Sequence, residues 1–386
     1  MKFAFLIFKY FPFGGMQRDM LRTAKELVKR GHSVEIFTIS WDGDLPPAEI
    51  KVHVLPQKGL FNYQRYQRFI DAAFNQINAN SFDYIFGYNR MAGLDAYFAA
   101  DPCFIDRAYT QRHFLYRLLP RFKWFAACEK VVFSKDSLTE ILAVSLSEKP
   151  HFQHWYGTQD VRFHYIPPRL APELFTLPSK QESHRYLRET FAFAQNDVVF
   201  ILVGSGFQMK GLDRAIQALA ALPAHLREHA KLVAVGQDNP KPFELMAKKL
   251  GLKDKVFISK GRADYAQLIK GADVYVHPAY RENTGLVILD AMACGAPVLL
   301  TASCGYAHHV AQADAGIVHE MPFDQARFNQ QFLEMWQTDK KAQWSVNGIN
   351  HAKKLLAEND GSAEATILIN LANEKVSSDQ KASLIA

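Results

Sequence analysis

The stretch Tyr280 to Val298, Y-R-E-N-T-G-L-V-I-L-D-A-M-A-C-G-A-P-V, sets an acid, a small polar pair and a glycine ahead of an apolar helix. A glutamate at a helix start, beside exposed backbone amides, can grip sugar hydroxyls while the amides and the helix dipole hold a phosphate. Asp290 follows Glu282 by eight residues, about two helical turns. The spacing therefore predicts both carboxylates on one side of the helix, reaching successive parts of one extended ligand. Gly295 and Pro297 stop the helix.

Lys210 offers the opposite charge. It stands in G-S-G-F-Q-M-K-G, Gly204 to Gly211, after an apolar strand and before a helix, which puts an ammonium at the carboxyl edge of a parallel sheet. Gly14 and Gly15 hold the matching place after the first strand, where glycine either admits a close backbone approach by a ligand or only makes a tight turn. Asp19, one turn farther on, is a site acid or a helix-end charge. Asp42 and Asp44 have D-x-D spacing, but after a second strand they read as a turn and no metal is expected.

The elements that position these residues are legible as short runs rich in Val, Ile and Phe alternating with helix-length segments, the signature of βαβ units. The first series is Phe3 to Phe8, Val34 to Ile39, Val52 to Leu55, Tyr84 to Gly87 and Val131 to Phe133, with a helix from Gln17 to Arg30 closed by Gly31. The second is Val198 to Val203, Leu232 to Val235, Val256 to Ile258, Val274 to Val276 and Val298 to Leu300. Four prolines, Pro167, Pro168, Pro172 and Pro178, mark a connection between them. The expected layout is a Rossmann-like domain over 1–166, a linker over 167–180, a second Rossmann-like domain over 181–360, and a helix and frayed tail over 361–386.

The Glu282/Asp290 pair resembles the E-x7-E signature of retaining glycosyltransferases of family four, with Asp in place of the second Glu. Y-F-P-F-G-G-M-Q-R-D (Tyr10 to Asp19), N-R-M-A-G-L-D-A-Y-F-A-A-D (Asn89 to Asp101) and C-G-Y-A-H (Cys304 to His308) are similar to the branch of that family that builds the lipopolysaccharide core. The resemblance spans most of the chain. It implies an α/β, GT-B fold: two Rossmann-like parallel-sheet domains facing a cleft, the first binding the acceptor and the second the donor. The implied reaction moves a hexose, glucose from UDP-glucose, with retention onto a heptose of the lipopolysaccharide inner core. The sugar nucleotide is a substrate, and no cofactor is expected.

By the same resemblance Glu282 contacts the transferred sugar and Asp290 the ribose, with Asn283, Thr284, Gly285 and Leu286 completing that turn. Lys210 binds the diphosphate with Gly204 and Ser205, Asp19 faces the reaction centre, and Asp101 lies near the donor sugar. Arg262, in S-K-G-R-A-D, reads uracil through its backbone. The family places an arginine at the position of Ser205 or of Met209, so Arg169 or a helix terminus must supply the missing charge. Asn283 and Thr284 replace small residues, which leaves a different UDP-sugar donor open. Met209 and Asp290 leave open a catalytically impaired sugar-nucleotide binder acting as an assembly factor.

The chain has 386 residues, enough for two ordinary cores. No apolar run approaches the roughly 18 to 20 residues that span a bilayer. Four widely spaced cysteines without C-x-x-C pairing argue against a zinc site or a disulfide framework and fit a reducing cytoplasm. The whole net charge of +6 falls within residues 1–170. Residues 107–135 carry seven basic side chains against the single acid Glu129. On a helical wheel Phe114, Leu118, Phe122 and Phe125 gather on one side, flanked by Arg112, Arg117, Arg121 and Lys123, with Tyr116 and Trp124 as headgroup anchors and Pro120 as a kink or a new start. The same pattern also suits a Rossmann helix with solvated arginines. The membrane reading implies peripheral attachment to the anionic inner leaflet, beside a lipid-linked oligosaccharide acceptor. No nucleic-acid motif is present.

Overall fold

The computed structural model describes residues 1–11, 15–110, 112–359 and 361–385, without the side chains of 379–385. It divides into two compact units, Met1–Pro167 with Asp360–Ala386, and Pro168–Asn359.

The first unit is built on seven parallel strands: β1 (Lys2–Tyr10), β2 (Ser33–Trp41), β3 (Ile50–Val54), β4 (Tyr84–Gly87), β5 (Ala96–Ala99), β6 (Glu140–Ala143) and β7 (Phe163–Tyr165). Their spatial order is β3-β2-β1-β4-β5-β6-β7. Along β1, Phe3, Phe5 and Ile7 enter one apolar cluster while Ala4, Leu6 and Phe8 enter another. A strand covered on both faces must be apolar at every position, which is why this run is continuous rather than alternating.

The second unit has β8 (Val198–Val203), β9 (Ala230–Val235), β10 (Val256–Ser259), β11 (Val274–His277), β12 (Val298–Thr301) and β13 (Gly316–His319), ordered β10-β9-β8-β11-β12-β13. Val199, Ile201 and Val203 of β8 face one cluster, Phe200 and Leu202 the other. Numbered within its own unit each order begins 3-2-1-4-5-6, with a seventh strand added at the edge of the first sheet, so both sheets are doubly wound and both reverse beside their own first strand.

Several expectations are corrected. Val131 to Phe133 is not a strand: it ends a helix, Pro120–Phe133, that buries Phe122, Glu129, Val132 and Phe133. β5, β6, β7 and β13 were not read from sequence. The proline-rich stretch is not a free linker, because Leu170 and Leu174 are 1% and 4% exposed in the second unit's core. Burying two leucines at about 1.5–3 kcal/mol each ties that segment down. The expected C-terminal helix is present: Ala363–Ile385 belongs to the first unit, where Ala365, Leu368, Leu371 and Ala372 join the cluster that holds Phe3 and Phe5. Lys375 donates to Asp95 at 2.8 Å.

Candidate active site

In doubly wound sheets ligands bind beyond the carboxyl ends of the strands, where the order reverses. In the second unit that point lies between β8 and β11, which pair in parallel. The loop after β8 carries Lys210 and the loop after β11 carries Glu282.

Two close approaches join these loops. The Tyr280 amide donates to the Met209 carbonyl at 2.9 Å. Gly211 has φ +76°, and a Cβ there would lie 2.0 Å from the Pro278 carbonyl oxygen, so only glycine fits. The result is a direct ion pair in which the Lys210 ammonium donates to Glu282 Oε2.

Glu282 is fixed through its backbone. Its amide donates to Ser303 O at 3.1 Å, and its carbonyl accepts from Gly305 N at 2.9 Å. Tyr306 N donates to Thr284 O at 2.9 Å, so the Cys304–His308 loop holds the whole turn. Behind the carboxylate stands His277, the last residue of β11 and 1% exposed, with Nε2 3.7 Å from Glu282 Oε2. Its Nδ1 lies 2.9 Å from the Tyr275 hydroxyl. Burial alone would raise the Glu282 carboxyl, but the facing His277 and the Lys210 charge bring it down to about 2. Burial likewise holds His277 below its ordinary value, against the pull of Glu282.

The helix begins at Leu286, with Gly285 as its N-cap at φ +83°. Glu282 therefore lies before the helix, in an isolated bridge to Cys304, and the shared-helix-face reading of Glu282 and Asp290 is corrected. Asp290 sits inside the helix, buried, and accepts from Tyr265 OH at 3.0 Å. Asn283 and Gly285 are buried, Thr284 is half-buried and Leu286 is exposed.

In the loop after β8, Gly204 has φ +138° and a Cβ there would touch Lys210 Cε at 3.2 Å. Ser205 Oγ accepts from Gln237 N at 3.1 Å. The Asp238 carboxylate receives the amides of Gly206 and Phe207, the latter at 3.0 Å. Arg262 follows the edge strand β10 and grips Asp264 with two bonds of 2.8 and 2.7 Å, holding the Asp264 carboxyl near 2. Arg169 opens the second unit and is half-buried.

Asp19 and Asp101 belong to the first unit. Asp19 lies beyond the first turn of the helix Gly15–Lys29 and pairs with Arg22 at 2.6 Å, so it is not a helix cap. Gly15 starts that helix with open space where a Cβ would go, and Gly14 lies outside the described residues. Asp101 follows β5 with its side chain exposed, and its carbonyl accepts from Arg90 at 2.9 Å. Arg90 also reaches Glu129, which is fully buried and accepts from Tyr156 OH at 2.8 Å and from the amides of Phe104 and Ile105 at 2.7 and 2.9 Å. The one acid of the basic segment is thus a structural anchor.

The basic segment is two elements. A 3-10 helix spans Phe114–Leu118, Leu119 is extended, and Pro120 opens the helix Pro120–Phe133. The continuous wheel is corrected accordingly. Phe114, Leu115, Leu118 and Leu119 are exposed, whereas Phe122 is buried. Arg112, Arg121 and Lys123 are exposed, and Arg117 packs 3.8 Å over the Tyr109 ring. Trp124 is turned inward: its indole donates to Gln67 at 2.9 Å, so it is not a free headgroup anchor. No helix among the described residues is long and apolar enough to cross a membrane. Among the described residues no group of three or more His, Cys, Asp or Glu side chains could hold a metal ion.

A glycine-rich loop carrying Lys210 after the first strand of this sheet, and a fixed carboxylate after the fourth, are the parts of a sugar-nucleotide transferase of the doubly wound kind. Residues 13–172 match Glycosyltransferase Family 4 and residues 185–351 match Glycosyl transferases group 1, and the chain belongs to this glycosyltransferase family. It is 38% identical over 350 residues to the lipopolysaccharide glucosyltransferase WaaG of Escherichia coli K12, covering 90% of this chain and 93% of that one. The crystal structure of WaaG, a glycosyltransferase involved in lipopolysaccharide biosynthesis, superposes with a TM-score of 0.84 at 36% identity over 95% of this chain and 99% of that chain. A D-inositol 3-phosphate glycosyltransferase of Stackebrandtia nassauensis is 29% identical over 339 residues, 79% of this chain and 75% of its own. The fold is the GT-B pair of Rossmann-like units, and the protein is a glycosyltransferase.

The sequence did not single out His277, Asp238 or the holding role of the Cys304–His308 loop. One signal for His277 was available, a polar residue ending an otherwise apolar strand, V-Y-V-H.

Proposed function

We propose that the chain transfers glucose from UDP-glucose to a heptose of the lipopolysaccharide inner core, with retention and without a metal. The observation that carries this reading is the Lys210–Glu282 pair at the reversal point of the second sheet. A sugar diphosphate offers each partner a replacement: phosphate oxygens for the ammonium, hexose hydroxyls for the carboxylate. The ammonium then stabilises the departing diphosphate, and the carboxylate, already ionised, steadies the ring as it becomes positive. The leaving diphosphate accepts the proton of the attacking hydroxyl on the same face. Asp290 meets the ribose, and Arg262 lies by the base. The likeness to the lipopolysaccharide glucosyltransferase of Escherichia coli supports the choice of donor and acceptor.

The exposed Phe114, Leu115, Leu118 and Leu119, flanked by Arg112, Arg121 and Lys123, support peripheral attachment to the cytoplasmic face of an anionic membrane, where a lipid-linked acceptor is presented. The test is a transfer assay with heptose-terminated lipopolysaccharide and a panel of UDP-sugars, paired with calorimetric titration of each. Glucose transfer from UDP-glucose is expected. Binding without transfer would favour the assembly-factor reading, and turnover of another UDP-sugar alone would replace the donor.

A further inference from the structure

We propose that His277 is a positioning residue for Glu282, its Nε2–H taking over the carboxylate when a bound diphosphate draws Lys210 away. This rests on the reading of Lys210 and Glu282 as the donor-binding pair.

His277 is almost completely buried, yet its Nε2 has no hydrogen-bond partner. A buried ring nitrogen without a partner costs free energy comparable to a lost hydrogen bond, so such a group calls for an explanation. It faces Glu282 Oε2 at 3.7 Å, less than an ångström beyond a normal bond. The carboxylate selects which ring nitrogen carries the proton: a hydrogen on Nε2 points at Glu282, whereas the opposite tautomer would set a lone pair against a negative charge. Nδ1 then accepts from Tyr275 OH, 2.9 Å away.

The movement needed is small and confined to side chains. The Glu282 backbone is held on both sides by residues 303 and 305, so only its side chain can turn. In this structure Lys210 holds Oε2. A diphosphate competes for that ammonium and leaves a largely buried carboxylate short of a donor, an expensive condition unless another donor is at hand. His277 is that donor. Burial keeps the ring neutral, so it orients the carboxylate without cancelling the negative charge that the ring of the transferred sugar requires.

The experiment pairs two variants of the full chain with a direct view of the ring. His277→Met has similar reach and no donor; His277→Gln keeps an N–H at a similar distance. For UDP-glucose transfer, His277→Met is expected to lower kcat by roughly ten- to a hundredfold, the worth of a hydrogen bond to a charged group, with KM for UDP-glucose changed much less. His277→Gln is expected to recover most of that loss at an equal thermal midpoint. Nitrogen-15 NMR, with the His277 signal assigned by its absence from His277→Gln, should show the Nε2–H tautomer and a downfield move of that proton on saturation with UDP. An Nδ1–H tautomer, a ring signal unmoved by bound UDP, or wild-type turnover by His277→Met overturns the proposal and leaves the donor site standing. Failure of UDP to bind brings down the donor site and this proposal with it.

Discussion

Lys210 and Glu282 meet through a single ammonium–carboxylate bond although 72 residues separate them, because their loops leave adjacent strands where the second sheet reverses its order. Each holds the other in the place a substrate group takes in the proposed reaction. In that reaction the pair would couple donor binding to release of the carboxylate.

Breaking the pair from either side should give different losses. Lys210→Met removes the diphosphate's cation and should weaken UDP binding by about ten- to a hundredfold, the value of a charge-assisted bond. Glu282→Gln frees the ammonium, so UDP should bind at least as well, while transfer falls by about a hundred- to a thousandfold. Calorimetry with UDP and an initial-rate assay read the two effects, and equal loss of UDP affinity in both variants would refute this division of labour.

Gly211 is the residue that lets the two loops touch. Gly211→Ala places a methyl against the Pro278 carbonyl at a backbone angle that disfavours any side chain, and should cost on the order of 3 kcal/mol of stability. Urea denaturation measures it. A loss no larger than that of Gly251→Ala, which also has positive φ but open space around it, would show that the close approach carries no weight.

Glu364 is buried in the first unit and accepts from Tyr88 OH at 2.8 Å. Burial, and after it the charge of Asp19, raise its carboxyl from 4.5 to about 7. The folded chain thus holds a proton that the unfolded chain releases. Its stabilising share is complete below pH 4.5 and disappears as the pH climbs through about 7. Glu364→Gln should flatten stability across that window and exceed the native chain at pH 8 by up to about 3 kcal/mol. Denaturation curves at pH 5 and pH 8 that keep the same spacing for both proteins would contradict this.

The membrane proposal predicts a graded response. Replacing Arg112, Arg117, Arg121 and Lys123 by Ser should reduce partition onto anionic vesicles on the order of a hundredfold, at about 1 kcal/mol for each exposed basic residue near the surface, with little change on zwitterionic vesicles. Cosedimentation checks it, and unchanged binding would remove this segment from the account.

Much of the second unit was legible in the sequence because most of its strands are apolar runs rich in Val, Ile and Leu and its chemistry sits in the turns directly after them. Lys210 and Glu282 each follow such a run. The first unit was harder. Ala96–Ala99 and Phe163–Tyr165 are short and carry small or polar residues, and the three-residue run Val131–Phe133 fits a buried helix turn as well as a strand. The stripe Ala365, Leu368, Leu371 and Ala372 has helical spacing and must be buried somewhere, but spacing does not say against which unit. Tyr275 and His277 share a strand face by the period of two, so their contact was within reach of sequence reasoning. The pairing of Glu129 with Arg90 was not, because both ends depend on how β4 and the helix Pro120–Phe133 pack.

The helix Ala363–Ile385 supplies part of the core behind β1, which is translated far ahead of it. A nascent chain can therefore complete its second unit before its first, in which Phe3 and Phe5 stay only partly covered until that helix emerges. Deleting the codons for this helix would strike the unit most distant from it in sequence.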